Sequence, residues 1–294
     1  MSLNRPIWKL RDWIDKDKLD WKSLSGNLNA IYLLNENPDK IDWYILPHNK
    51  NAIDMIEKNK DDICWNLLAL NDNAIGILKD NQKKIDWINL SSNKNAIHLL
   101  EENPKKINWG RLSSNKNAIK LLKTNYHNIN WHGLSLNPNA IKLLEKNQDK
   151  INWKYLSLNK NAIHLLEANP HKINWNNLSL NKNAIRLLEA NPDKINWSYL
   201  SKNKNAIHLL KANYHKIDWF NLSRNPNAIE LLKENQDKID WYYLSYNPSI
   251  FELDYKKMRN NNQEMYEDLI KEVMKPSRVF KNPDYDYLEE LFGD

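Results

Sequence analysis

The sequence predicts an all-α fold, an α-solenoid of eleven 22-residue repeats with two short helices each and a helical cap at either end. Three observations carry that prediction. Tryptophan falls at Trp21, Trp43, Trp65, Trp87, Trp109, Trp131, Trp153, Trp175, Trp197, Trp219 and Trp241, with no slip in a spacing of 22. A fixed period of roughly 20 to 50 residues marks stacked supersecondary units. Copies such as "INWNNLSLNKNAIRLLEANPDK" (residues 173–194) reduce to I-[DN]-W-x-x-L-S-x-N-x-N-A-I-x-L-L-x-x-N-x-x-K. A unit this short cannot cover its own apolar side chains, so its neighbours must.

Residues 1–18 carry Trp8 and Trp13 off the period and read as an N-terminal capping helix. Within each repeat, the Asp or Asn before the tryptophan, such as Asp86 or Asn174, suits an N-cap. Trp175 with Leu178 then makes the apolar face of a first helix. "KNAIRLLEAN" forms the second, with Asn181 as its cap and Pro138 and Pro226 as first helical residues in other copies. Asn191 followed by Pro192 is the stop, since Asn tolerates the left-handed conformation that glycine usually fills; this accounts for a chain with 5 glycines. A leucine-rich horseshoe with "INW" as a strand is the competing reading. It is weakened because the longest periodic piece is helical and no strand-length alternation appears.

The tryptophans are expected to be neighbours in one apolar spine. Each would bury on the order of 200 Å² and cost about 3 to 5 kcal/mol when truncated to alanine. Stacked over residues 19–248, the repeats would form an open rod or superhelix on the order of 100 Å long. The pattern fails at Ser249, Ile250 and Asp254, where "IFELDYKKMRNNNQEMYEDLIKEVMK" reads as a longer charged helix. Residues 249–294 are thus a C-terminal helical cap with an acidic, aromatic tail, "PSRVFKNPDYDYLEELFGD", expected to pack on that cap. A second period lies above the first: "NYH", "NQDK" and "NPNA" each recur after 88 residues, the trace of a copied four-repeat block.

Composition narrows the function classes. The net charge of +6 permits an acidic partner without demanding one. Cys64 is the only cysteine, which excludes a disulfide framework and Cys-rich zinc sites. No apolar run is long enough for a membrane span, and the N-terminus carries charges where a secretory signal needs an apolar core. No nucleophile elbow, phosphate-cradling glycine loop or paired-carboxylate pocket is present, so the expectation is a non-enzyme without cofactors. The histidine columns (His127, His171, His215 and His98, His164, His208) would lie roughly 20 Å or more apart within a column, so no metal site is expected.

Candidate contact residues are the charged or varying columns. Lys94, Lys116, Lys160, Lys182 and Lys204 open the second helix; His98, Lys120, His164, Arg186 and His208 follow four residues later on the same helical face. Together they would form a basic stripe, partly cancelled by Glu101, Glu145, Glu167 and Glu189 one turn further on and interrupted early by Asp54, Asp72 and Gly76. On the first helix the varying positions are Tyr155, Asn177, Tyr199 and Asn221. These residues suit a scaffold that binds another protein, such as one with an acidic segment. The alternative is a nucleic-acid-binding solenoid whose stripe follows phosphates.

The end of the array, "IDWYYLSYNPSIFELDYKKM" (residues 239–258) after "NPNAIELLKENQDKIDW", resembles the 22-residue Trp- and Asn-rich repeat proteins of giant, mimivirus-like viruses. The resemblance covers nearly the whole chain. It implies a viral protein in the infected-cell cytoplasm or the virion, and carries no activity or catalytic residue. Pro47, Cys64 and Ala69 depart from the pattern, so the second and third repeats are expected to be irregular or specialised.

Overall fold

The computed structural model describes residues 6–273 and residue 275. They form a long series of short helices with the 22-residue period, together with two three-residue strands. The all-α, repeating architecture is therefore as the spacing predicts. In residues 173–194 the first helix is Trp175–Leu180, opened by Asn174, whose side chain accepts the Asn177 N–H. The second helix is Ile185–Glu189. A third element, the 3-10 turn Pro192–Lys194, leads into the next repeat and has no counterpart in the two-helix expectation.

Two cap assignments need correction. Asn181 does not cap the second helix, which begins four residues later and has no side-chain cap. Its Oδ1 accepts the N–H of Asn183, and its amide donates into the preceding repeat, to the carbonyls of Ser157 at 3.0 Å and Asn159 at 3.1 Å. The second helix does not end on a left-handed residue either. Asn191 has φ −138°, and its amide donates to Leu187 O at 2.9 Å, four residues back. No described residue has positive φ. Glycine is dispensable here because a side chain, and not a backbone reversal, satisfies the helix end.

The spine is aliphatic and not aromatic. Leu156, Ala162 and Leu166 are fully buried, as are their counterparts in the neighbouring repeats, Leu178, Ala184 and Leu188. All eleven periodic tryptophans are only half-buried. All but Trp43 open an α-helix at the margin of the core, and in nine of the eleven repeats a lysine from a 3-10 turn covers the ring face. Lys172 Nζ lies 4.5 Å from the centre of Trp153, Lys194 4.6 Å from Trp175 and Lys106 4.3 Å from Trp87. At Trp43 and Trp109 the corresponding residues are Asp62 and Asn128, and that clasp is missing.

The asparagine rungs decide how the repeats are joined. Asn49 donates to Ser25 O and Asn27 O, Asn71 to Pro47 O and Asn49 O, and the pattern continues to Asn247, which donates to Ser223 O and Asn225 O. Asn27 has no preceding repeat in sequence, yet it makes the same pair of bonds, to Ser245 O at 2.8 Å and Asn247 O at 3.0 Å. The serine column repeats the message. Ser91 Oγ donates to Trp87 O and accepts the Asn108 N–H, while Ser245 Oγ accepts the N–H of Asp20, 225 residues away. Lys18 covers Trp241 as the other clasp lysines cover their tryptophans. The repeats therefore close into a ring, and the expected open rod is not formed. Chain and side chains supply the reason: the first and last repeats present the same asparagine donors and carbonyl acceptors as the internal pairs.

The chain divides into two compact units, Leu10–Phe251, which holds this ring, and one made of Met1–Lys9 with Glu252–Asp294. The expected capping helix over residues 1–18 is absent from the described part. Trp8–Leu10 is a strand and Lys16–Lys18 a 3-10 turn. A closed stack leaves no apolar end for such a helix to cover. In the second unit Asp254 N–H donates to Ile7 O, Lys9 pairs with Glu252 at 3.2 Å, and Tyr255–Val273 forms the expected long charged helix. The tail over residues 276–294 lies outside the described residues. Irregularity in the early repeats is visible: Leu46–His48 is a 3-10 turn in place of an α-helix, and Cys64 makes no side-chain cap bond. No helix among the described residues is long and apolar enough to cross a membrane.

Candidate binding groove across four repeats

Most fixed polar columns are consumed by the ring itself. Each rung asparagine gives both amide hydrogens to the preceding repeat and accepts a local N–H, as Asn159 does from Asn161. Function must come from the columns that vary, and two of these lie beside the rungs, five and seven residues after each tryptophan.

In four consecutive repeats these columns line an open groove of about 400 Å³. The first column supplies Leu136, Leu158, Leu180 and then Lys202, and the second Pro138 and then Lys160, Lys182 and Lys204. The groove runs across four successive repeats, along the segment that follows each first helix. The same column brings His48 and Arg224, three repeats apart around the closure, within electrostatic reach. Partial burial holds the His48 pKa below its ordinary value, and the charges of Lys50 and Arg224 add to that effect.

The lysine column is not uniform around the ring. Lys50 and Lys94 both bond the buried carboxylate of Asp72, with Lys94 Nζ at 3.0 Å. Burial works to raise the Asp72 pKa, but the hydrogen bonds from the two lysines outweigh it and the net shift is downward. In that sector the basic charge is answered within the protein. In the groove, Lys160, Lys182 and Lys204 form no ion pair among the described residues.

The predicted contact residues separate into three places. Lys94, Lys116, Lys160, Lys182 and Lys204 stand in the turn before the second helix and not on it; Lys94 is taken up by Asp72, and three of the others line the groove. His98, Lys120, His164, Arg186 and His208 are exposed second residues of the second helices, so no single helical face holds both rows. The histidines of that row stand beside glutamates. His164 Nε2 is 2.9 Å from Glu145, His208 Nε2 2.8 Å from Glu189, and His98 Nδ1 3.3 Å from Glu102.

The first-helix positions mostly tie neighbours together. Asn177 donates to Lys154 O at 2.8 Å, Asn221 to Ser198 Oγ at 2.7 Å, and Tyr155 meets the His132 ring edge-on at 6.3 Å. Tyr199 lies under the Lys202 ammonium, 5.9 Å away. Sequence reasoning missed Leu136, Leu158, Leu180 and Lys202. The available signal was a run of leucines in a column that elsewhere holds Gly26, His48, Ser92 and Arg224.

Compared with family models, curated proteins and solved structures, the chain finds no match in any of the three.

Proposed function

We propose that this chain is a non-enzymatic, eleven-repeat ring scaffold that binds another protein through the groove in residues 136–204, in the giant-virus setting that the sequence resemblance implies. The observation that supports it is the groove sector itself, where lysines without ion partners stand beside a leucine wall. An apolar wall with a few placed charges is the make-up of a ligand surface. The opposing reading, a phosphate-tracking stripe on the second helices, is disfavoured by the glutamates interleaved with that stripe at His164 and His208.

Titration of the full chain with duplex DNA, single-stranded RNA and an acidic protein segment, across a salt series, separates the readings. Retention of the acidic protein segment near physiological salt, with both nucleic acids released, is the expected result. Nucleic-acid binding with a steep log–log salt slope would overturn the scaffold reading, because that slope counts the phosphate contacts made.

A further inference from the structure

We infer that the groove within residues 136–204 seats an extended acidic peptide in which carboxylate side chains alternate with apolar ones. This deepens the scaffold reading and rests on it. Two rows meet in the groove: Leu136, Leu158 and Leu180, ending at Lys202, in one, and Lys160, Lys182 and Lys204, preceded by Pro138 and two residues further along each repeat, in the other. An extended chain sends successive side chains to opposite sides. Laid along the groove, it offers one set to the leucines and the other to the lysines.

Three features select this occupant. The rung asparagines between the rows, Asn159, Asn181 and Asn203, have both amide hydrogens donated within the ring, so recognition falls to leucine contact and lysine charge. The basic groups are distributed over successive repeats, so a ligand with a single carboxylate, such as an acyl chain, answers only one of them. Finally, the lining contains no aromatic ring on which a nucleobase could stack. Charge complementarity then favours several carboxylates on one chain.

The test is fluorescence anisotropy on the full-length chain with labelled peptides of about eight residues: alternating Asp and Leu, the same composition in two blocks, and all Asp. Two variants accompany it, Lys160→Glu/Lys182→Glu/Lys204→Glu in the groove and Lys120→Glu/Arg186→Glu on the outer helices, each checked for native circular dichroism. The alternating peptide is expected to bind at least about ten-fold more tightly than the other two; the groove reversal should weaken it at least about ten-fold and the outer reversal less than about two-fold. Should the groove reversal misfold, Lys160→Gln/Lys182→Gln/Lys204→Gln is read in its place, with a loss of at least about three-fold expected.

Equal affinity for the block or all-Asp peptide would overturn the inference. So would an unchanged affinity after the groove reversal, or displacement of the peptide by laurate alone. Any of these results leaves the scaffold reading to the polymer titration above, so the two failures are distinguishable.

Discussion

Replacing Asn159 with alanine is expected to lower the unfolding free energy by about 4 kcal/mol, and replacing Asn27 by a similar amount. The Asn159 amide donates to Ser135 O and Asn137 O, both at 3.0 Å, and its Oδ1 accepts the Asn161 N–H at 3.1 Å. Alanine restores none of these bonds, and the rung is buried. Each buried polar group left without a partner costs about 1 to 3 kcal/mol. Asn137 O keeps a second donor, the Ala140 N–H, which holds the total below the sum of three full penalties. Asn27 is the informative partner because its acceptors, Ser245 and Asn247, belong to the other end of the array. Denaturant unfolding measures both. A loss of less than about 1 kcal/mol at Asn27, beside a full loss at Asn159, would show the first repeat facing solvent.

The second large effect separates the leucine spine from the tryptophan signal. Leu156→Ala is expected to cost about 3 to 4 kcal/mol, from the transfer of a fully buried side chain plus the cavity left between neighbouring repeats. Trp153→Ala, despite removing more atoms, should cost only about 2 kcal/mol, because the ring is half-buried and part of its contact is the Lys172 ammonium. Thermal unfolding of the two variants gives the order directly. A tryptophan cost above the leucine cost would restore the aromatic spine.

The period, the helical class and the Asp or Asn N-caps were legible in the sequence because their causes are local: Asn174 accepts an N–H only three residues away. The rung asparagines looked like caps for the same reason. Their true acceptors lie 22 and 24 residues earlier, and a consensus line does not distinguish a local carbonyl from the same carbonyl one repeat back. Closure was hidden more deeply. A consensus fixes which groups meet between neighbours, whereas the turn accumulated per step is a property of their packing, and only a turn near one-eleventh of a circle brings Asn27 to Asn247.

The copied four-repeat block, by contrast, left a physical trace. Tyr126 stands edge-on to Trp131 and hydrogen-bonds Asn147; 88 residues later Tyr214 does the same with Trp219 and Asn235. The groove was half legible: Lys160, Lys182 and Lys204 stood out as charges, whereas the leucines two residues before them form a run of three in a column that is otherwise mixed. The glutamate partners of His164 and His208 sit on the preceding repeat, which is why the outer stripe looked more basic in sequence than it is in space.

The central claim is closure, and a pulsed electron spin resonance distance tests it most directly. Spin labels replace Lys22 and Tyr242, the second residues of the helices Trp21–Ser25 and Trp241–Ser245, which pack against each other, in a chain where Cys64→Ser removes the native thiol. Adjacent helices at about 8 to 10 Å place the two labels in a single population below about 25 Å. An open stack would separate them by ten such steps, on the order of 80 to 100 Å. A dominant distance beyond about 60 Å would contradict the ring.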